Sequence, residues 1–449
     1  MLGKYIQKKN RLSPAQFIVL GFAGIILLGA LLLNLPIASQ DGKSVGFINA
    51  LFTSTSAVCV TGLVAVDTGT YWTTFGKVII ITLIQVGGLG FMSIATLFAM
   101  LIGKKIYLHQ RLLIQEALNQ YDLSGLVRLT RHILIGTFII EGIGAIILSM
   151  VFIPEMGFLK GLGYGAFHSI SAFCNAGFDL MGNFSSLTSY TENIVVNIVI
   201  MTLIILGGLG FSVMFDIIKK KNFSKLSLHS KIVIVMSSFL ILSGFVLFFA
   251  MEYSNPKTLG NLSFKGKILG ALFQSVTTRT AGFNTIDLAA MKDSSKFLTI
   301  IFMFIGGSPA STAGGIKTST IGVLILAVIT FIRGKEDVEA FGRRISYSVV
   351  NKSLGVIAIG LSVVIFMTIT LSLTEIKFNF LDTLFESVSA FGTVGLSLAG
   401  SPNLSLIGKI LIALSMFAGR VGALTILFAL SNRKQKNLIK YPEDKVIVG

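Results

Sequence analysis

Eight long apolar stretches leave this chain few ways to fold. They run from Gln16 to Ile37, Thr73 to Ile102, Val127 to Ile153, Asn193 to Ile218, Ser230 to Met251, Lys296 to Ile332, Val349 to Leu373 and Leu406 to Leu430. A helix needs about 20 largely apolar residues to cross a bilayer core. Within lipid every backbone amide must find an internal partner, which restricts spanning structures to helices and closed barrels. The runs predict an all-α membrane protein with eight transmembrane helices. Composition points the same way: 53% of the 449 residues are hydrophobic and 13% charged, against about 25% charged in a soluble domain. A soluble enzyme of this size needs more polar surface, a disordered chain fewer apolar residues, and a disulfide scaffold more than two cysteines. The first stretch reads as a retained span, because a cleaved secretory segment has an apolar region of only about 7–15 residues.

Charge supplies the orientation. The net charge is +17, and the basic residues concentrate on one side of the membrane: in the N-terminal segment, in every second connection, and in the tail from Arg433 to Lys445. Lysine and arginine excess marks the cytoplasmic side, so both termini are expected there. The opposite side balances. The basic pI is therefore read as topology, with the basic face open either to contact with anionic lipid or to docking of a cytosolic partner, and not as a nucleic-acid signal.

The connections on the balanced side repeat. Phe52 to Leu63 (FTSTSAVCVTGL), Phe167 to Phe178 (FHSISAFCNAGF), Leu272 to Phe283 (LFQSVTTRTAGF) and Phe385 to Leu396 (FESVSAFGTVGL) align without gaps on Gly62, Gly177, Gly282 and Gly395. Repetition at this scale means duplicated units. Each unit reads span, short helix, extended glycine loop, span, with expected boundaries 1–105, 106–222, 223–340 and 341–432, followed by a tail, 433–449. A helix of about ten residues cannot cross the bilayer, so each is expected to re-enter. Non-helical backbone at that depth is tolerated where it lines a watery cavity or is buried in protein. Four such loops around one pseudo-fourfold axis give a ring of backbone carbonyls, the architecture of a cation filter. Small-residue clusters recur in the even-numbered stretches, at Gly87-Gly88, Gly207-Gly208, Gly306-Gly307 and Ala418-Gly419, with Gly88, Gly208, Gly307 and Gly419 aligned on their spacing from the loop glycines.

Four span–loop–span repeats, one glycine per loop, and the segment IGGSPASTAGGIKTST resemble the Trk/Ktr/HKT cation transporters, and within them the membrane subunits of bacterial Ktr potassium uptake systems. The resemblance covers roughly Pro14 to Leu430. It implies a potassium-translocating pore in the bacterial cell membrane, a homodimer, a cytosolic ring of nucleotide-binding regulatory subunits (KtrA-like), sodium as a stimulating ion, and no covalent cofactor. It places the filter at Val58, Cys59, Val60, Thr61 and Gly62; Phe173, Cys174, Asn175, Ala176 and Gly177; Thr278, Arg279, Thr280, Ala281 and Gly282; and Phe391, Gly392, Thr393, Val394 and Gly395. Potassium would meet the backbone carbonyls of Val60, Thr61, Asn175, Ala176, Thr280, Ala281, Thr393 and Val394. In plant relatives a serine at the first glycine position accompanies sodium preference; glycine at all four positions here reads as potassium-preferring. The loops lack the TVGYG signature of tetrameric potassium channels.

Three features inside this frame need separate accounts. Cys59 and Cys174 occupy matching positions; with no His or acidic cluster beside them, small packing residues are a better reading than a metal or redox pair. Arg279 sits in the third filter loop, where a free cation would repel potassium. Its side chain is expected to turn away and pair with an acid, with Glu386 as the candidate. The sixth stretch, Lys296 to Ile332, would be about 55 Å long as a straight helix, against about 30 Å of bilayer core. Its middle, 306–320, is rich in Gly, Ser and Thr and contains Pro309, which predicts a broken helix. The resemblance assigns this segment to gating: Gly306, Gly307, Ser308, Pro309, Ala310, Ser311, Thr312, Ala313, Gly314, Gly315 and Lys317. Arg420, within the eighth stretch, is expected to form an electrostatic barrier, to anchor that segment through its carbonyls, or to make a structural salt bridge with Glu141.

Two alternatives stand beside the gated pore. An obligatory sodium/potassium symporter of the same fold is one, although symporters generally show inverted repeats with side-chain sites at the midplane and this repeat is parallel. A membrane enzyme is the other. The four histidines, His109, His132, His168 and His229, are scattered, and no GxxxxGK[ST] loop is present.

Overall fold

The computed structural model describes residues 13–90, 92–96, 115, 126–398, 400–422, 425–426 and 442. The expected boundary at 105 and nearly all of the tail lie outside these residues. Four long apolar helices, α1 (Pro14–Leu33), α4 (Leu126–Met156), α8 (Leu228–Glu252) and α12 (Tyr347–Thr374), are long and apolar enough to cross a membrane. Each carries exposed apolar side chains, among them Leu27 and Leu31 on α1 and Phe366 and Ile369 on α12. Such surface suits lipid and not water.

Each long helix is followed by a short one: α2 (Phe47–Cys59), α5 (Phe158–Phe173), α9 (Phe264–Thr277) and α13 (Phe380–Gly392). At 13 to 16 residues, these are about 20–24 Å long, short of the bilayer core. Their polarity is turned inward. On α2 the unbroken run Phe52 to Cys59 is buried, including Thr53, Ser54, Thr55 and Ser56. The short helices therefore sit inside a jacket formed by the long ones.

A third set completes each unit: α3 (Thr74–Leu89), α6 (Ile194–Leu209), α10 (Asp293–Phe304) and α14 (Leu406–Val421). Side chains cap three of their N-termini: Thr73, Asn193 and Ser405 accept from the amides of Gly76, Val196 and Gly408. The structure differs here from eight uninterrupted spans. α3, α6 and α14 all stop after 16 residues, at Gly90, Gly210 and Gly422, whose φ values are 78°, 92° and 90°. Beyond Gly210 the chain turns by 96° into α7 (Phe211–Lys220). A positive φ opens the direction change, and glycine adopts it without strain. Hydropathy continues across these glycines, so the apolar pattern alone does not reveal the turns.

The sixth stretch is interrupted between α10 and α11 (Thr318–Ile332). The non-helical part is 305–317, so residues 318–320 of the expected segment belong to α11. A two-stranded antiparallel hairpin, β1 (Val338–Ala340) and β2 (Arg343–Ile345), follows α11 and leads into α12.

Candidate functional site

At the C-terminal ends of the short helices the backbone reverses hand. Val60, Asn175, Thr280 and Thr393 have φ of 57°, 59°, 61° and 52°. Each stands two residues before Gly62, Gly177, Gly282 or Gly395, whose φ values are 95°, 68°, 85° and 93°. Three of the four non-glycine residues are β-branched, for which the left-handed region costs roughly 1–3 kcal/mol each. Such strain persists only where the surrounding structure over-determines it.

The four glycines close a ring. A Cβ on Gly62 would lie 2.6 Å from the carbonyl oxygen of Ala176, one on Gly177 2.6 Å from that of Ala281, one on Gly282 2.7 Å from that of Val394, and one on Gly395 would collide with that of Thr61. The order is cyclic, each glycine meeting the residue that precedes the next glycine. Side chains are excluded at these positions both by backbone angle and by the neighbouring carbonyl.

A repeated hydrogen-bond frame holds the ring. The Ser56 and Ser389 hydroxyls accept from the amides of Gly62 (3.0 Å) and Gly395 (3.2 Å). Ser171 and Thr277 donate to the carbonyls of Phe178 and Phe283. Deeper in three of the four helices, Ser54, Ser169 and Ser275 donate across to the carbonyls of Ile26, Glu141 and Ile241 on the long helices, at 2.6–2.7 Å, whereas Ser387 in the fourth donates to Thr383 of its own helix. Each of the three joints between helices is admitted by a glycine, Gly29, Gly144 or Gly244, where a Cβ would strike the serine oxygen.

These bonds correct the gap-free alignment. Thr61, Ala176 and Val394 donate to carbonyls five residues back, whereas Ala281 donates to Thr277, four back. Ser275 also stands seven residues before its glycine, where Ser54 and Ser169 stand eight before theirs. The third helix is therefore one residue short between serine and glycine. Gly419 shifts too: a Cβ there would strike the Phe391 carbonyl, as Gly87 and Gly207 would strike those of Val58 and Phe173. Gly419 thus corresponds to Gly87 and Gly207 and not to Gly88 and Gly208, and Arg420 occupies the place of the second glycine.

The expected Arg279–Glu386 pair does not form. Arg279 is buried and turned outward, donating to the Ser237 hydroxyl on α8 at 3.1 Å. Glu386 instead accepts from Ser397 and from the amide of Leu398 at 3.1 Å. His168 does the same work in the second unit, its Nε2 accepting from the amide of Leu180 at 3.3 Å while Nδ1 donates to the Tyr164 carbonyl. Both residues stand nine before their glycine and secure the backbone three residues beyond it. Sequence reading missed this equivalence because an acid and an imidazole share no family label, although both can accept.

Segment 305–317 lies against the helix-end side of the ring. Gly306 donates to Ile316 (2.8 Å) and Thr318 to Gly307 (3.0 Å), which folds the segment back on itself. Ser308 and Thr312 donate to the carbonyls of Gly208 (2.9 Å) and Gly207 (3.2 Å) at the end of α6, and Phe211 donates to Ala310 (2.9 Å). The Thr312 hydroxyl meets the Phe173 carbonyl (3.1 Å) and Asn175 Oδ1 (3.0 Å). A Cβ on Gly314 would strike the Thr393 hydroxyl, and one on Gly315 would stand 3.1 Å from the Gly392 carbonyl.

Two cations hold this segment by its carbonyls. Lys317 Nζ donates to Ala313 at 2.7 Å. Arg420 donates through Nη1 to Thr312 and through Nη2 to Gly87 and Gly88 at the end of α3, the last at 3.0 Å. The Glu141 salt bridge is not made. Glu141 accepts from Gln85 Nε2 (3.0 Å) and lies 3.8 Å from Cys174 Sγ. Cys59 and Cys174 are both free thiols, and Cys174 packs against Gly88, where a Cβ would lie 2.7 Å from its sulfur.

Comparison with known proteins identifies the family and the fold. The family described as TrkH, cation transport protein, matches residues 9–441. The potassium/sodium uptake protein NtpJ of Enterococcus hirae is 44% identical over 447 residues, covering 98% of both chains. The Ktr system potassium uptake protein B of Bacillus subtilis is 44% identical over 439 residues, covering 98% of this chain and 97% of that one. The crystal structure of the potassium transporter TrkH from Vibrio parahaemolyticus matches with a TM-score of 0.73 at 18% identity, over 95% of this chain and 86% of the other, which shows a shared fold. This multi-pass, mostly helical membrane protein belongs to the TrkH cation transport family, a transporter family and not an enzyme class.

Proposed function

We propose that this chain is the potassium-translocating subunit of a bacterial potassium uptake system. The observation that carries the reading is the closed ring of Gly62, Gly177, Gly282 and Gly395 with segment 305–317 bonded against it. Potassium is the cargo. It exchanges hydration water for the backbone carbonyls of Val60, Thr61, Asn175, Ala176, Thr280, Ala281, Thr393 and Val394, as in carbonyl-lined filters. The four units of 1–105, 106–222, 223–340 and 341–432 each supply one re-entrant loop between two spans, and the short helices aim their partly negative C-terminal ends toward the ion.

Segment 305–317 obstructs the path on the cytoplasmic side, held by Arg420 and Lys317, and its displacement opens the pore. Arg279 turns its charge away from the ion, which supports cation passage. Both termini lie in the cytoplasm. A homodimer in contact with membrane lipid works with a cytosolic nucleotide-binding ring, and sodium stimulates uptake. The names of the relatives support this: one is part of a Ktr system, which implies further components.

The name of the Enterococcus relative, which includes sodium, favours the second reading, obligatory sodium/potassium symport. Reconstitution in liposomes separates the two. A pore gives a reversal potential that follows the potassium gradient alone, driven by about 2.3 kcal/mol per charge per 100 mV. A fixed sodium-to-potassium stoichiometry would establish the symporter instead.

A further inference from the structure

Asn175 is the one left-handed residue of the four that carries an amide side chain, and that side chain spans three structures. Its Nδ2 is 3.4 Å from the Arg279 carbonyl in the third filter loop, and its Oδ1 is 3.0 Å from the Thr312 hydroxyl on segment 305–317, whose one proton it shares with the Phe173 carbonyl at 3.1 Å. Its own backbone belongs to the second filter loop. The neighbouring carbonyl fixes the orientation of the amide: a flipped side chain would set Oδ1 against the Arg279 oxygen, acceptor against acceptor. Space for the joint comes from Gly207, where a Cβ would lie 2.6 Å from Asn175 Oδ1 and 2.9 Å from Thr312 Oγ1. All three residues are wholly or almost wholly buried, so a lost hydrogen bond here is not replaced by bulk water.

The structure assigns Asn175 a positioning role: it couples ion occupancy of the glycine ring to docking of segment 305–317. This rests on the reading of the ring as a potassium filter. An ion held by the carbonyls of loops two and three fixes the Asn175 backbone and the Arg279 oxygen, which together aim Oδ1 at Thr312. Occupancy therefore favours the docked segment. By reciprocity a docked segment tightens ion binding, and a displaced one loosens it. Val60, Thr280 and Thr393, at the matching positions, have no amide with which to do the same.

The test is hydrogen exchange of the amides of 305–317 in the purified full-length chain, with potassium or with choline as the only monovalent cation. In the parent protein and in Thr312→Ser, which keeps the hydroxyl, potassium slows exchange by about 5-fold, the lower end of common couplings. In Thr312→Val and Asn175→Ala the potassium effect disappears, and the double variant shows no further loss. Potassium slowing exchange equally in Thr312→Val and Asn175→Ala would overturn the coupling, as would its absence in Thr312→Ser. Thermal unfolding of the parent in the two salts distinguishes the levels of failure. If potassium gives no stabilisation over choline, the filter reading falls and the coupling falls with it. If potassium stabilises but exchange of the segment is the same in all variants, only the coupling falls.

Discussion

Arg420 donates to the carbonyl of Thr312 and, through its other terminal nitrogen, to the carbonyls of Gly87 and Gly88. One planar fork thus ties segment 305–317, in the third unit, to the end of α3 in the first. Its own helix, α14, belongs to the fourth. Hydrogen bonds from a charged donor contribute about 1.5–3 kcal/mol each, so this side chain has the energy to decide where the segment rests.

Arg420→Lys is the informative substitution. Lysine keeps the charge, and with it any electrostatic barrier, but a single ammonium cannot reproduce the two-armed geometry. Potassium flux through liposomes containing the purified variant should rise about 10-fold or more, the change expected for losing one charged hydrogen bond. Flux at the parent level, from protein that elutes as the parent does on size exclusion, would mean that the fork does not restrain the segment.

Gly62→Ser tests the ring. The new Cβ meets the Ala176 carbonyl, and φ is 95°, so the carbonyl geometry of two neighbouring loops must shift. The expected result is a fall in the potassium-to-sodium permeability ratio, read from bi-ionic reversal potentials. Retention of the parent ratio would detach selectivity from this ring.

The joints between short and long helices should carry stability and not selectivity. Ser169→Ala removes a buried bond to the Glu141 carbonyl and should cost about 1 kcal/mol. Gly144→Val forces a side chain into the Ser169 oxygen and Leu203, and overpacking of that kind costs typically 1–3 kcal/mol. Thermal unfolding in detergent reads both, with the glycine variant the less stable.

Asp179, on the extended segment past Gly177, gives a pH dependence with a defined sign. Burial pushes its carboxyl up from 3.8 to about 6, and the Asp67 charge adds to the shift, although the Met181 amide opposes it. The folded protein thus holds this proton more tightly than the unfolded chain does. The penalty for ionising it builds between 3.8 and about 6 and is complete above that. Asp179→Asn should therefore be more stable than the parent at neutral pH, and the difference should vanish by pH values near 3.8. Melting temperatures across that range check the sign; a difference that grows toward acid contradicts it.

Much of this architecture is legible in the chain, for identifiable reasons. The ring glycines repeat because no other residue meets both the angle and the close carbonyl, so the constraint writes itself into each loop. The break in the sixth stretch shows in Gly306, Gly307, Ser308 and Pro309 because helix breakers are local chemistry. The stops at Gly90, Gly210 and Gly422 do not show, since apolar residues continue beyond them and hydropathy carries no angular information. The one-residue offset of the third loop is hidden by similar residue types on either side of it. Partner choice is the hardest to read. Arg279 turns to Ser237, and Arg420 to backbone carbonyls far away in sequence. For Arg279 a search for an oppositely charged partner points to Glu386; for Arg420 it leaves a Glu141 pair standing beside the carbonyl anchor that the structure shows, because a carbonyl leaves no trace in residue identity.

Conduction of potassium through the glycine ring and its obstruction by segment 305–317 can be put to one experiment. Passive potassium flux into liposomes, compared between the full chain and a variant lacking residues 307–315, tests both halves together. The expected result is potassium-selective flux in the full chain and a marked increase in the deletion variant. A folded deletion variant that conducts potassium no faster than the full chain would contradict it.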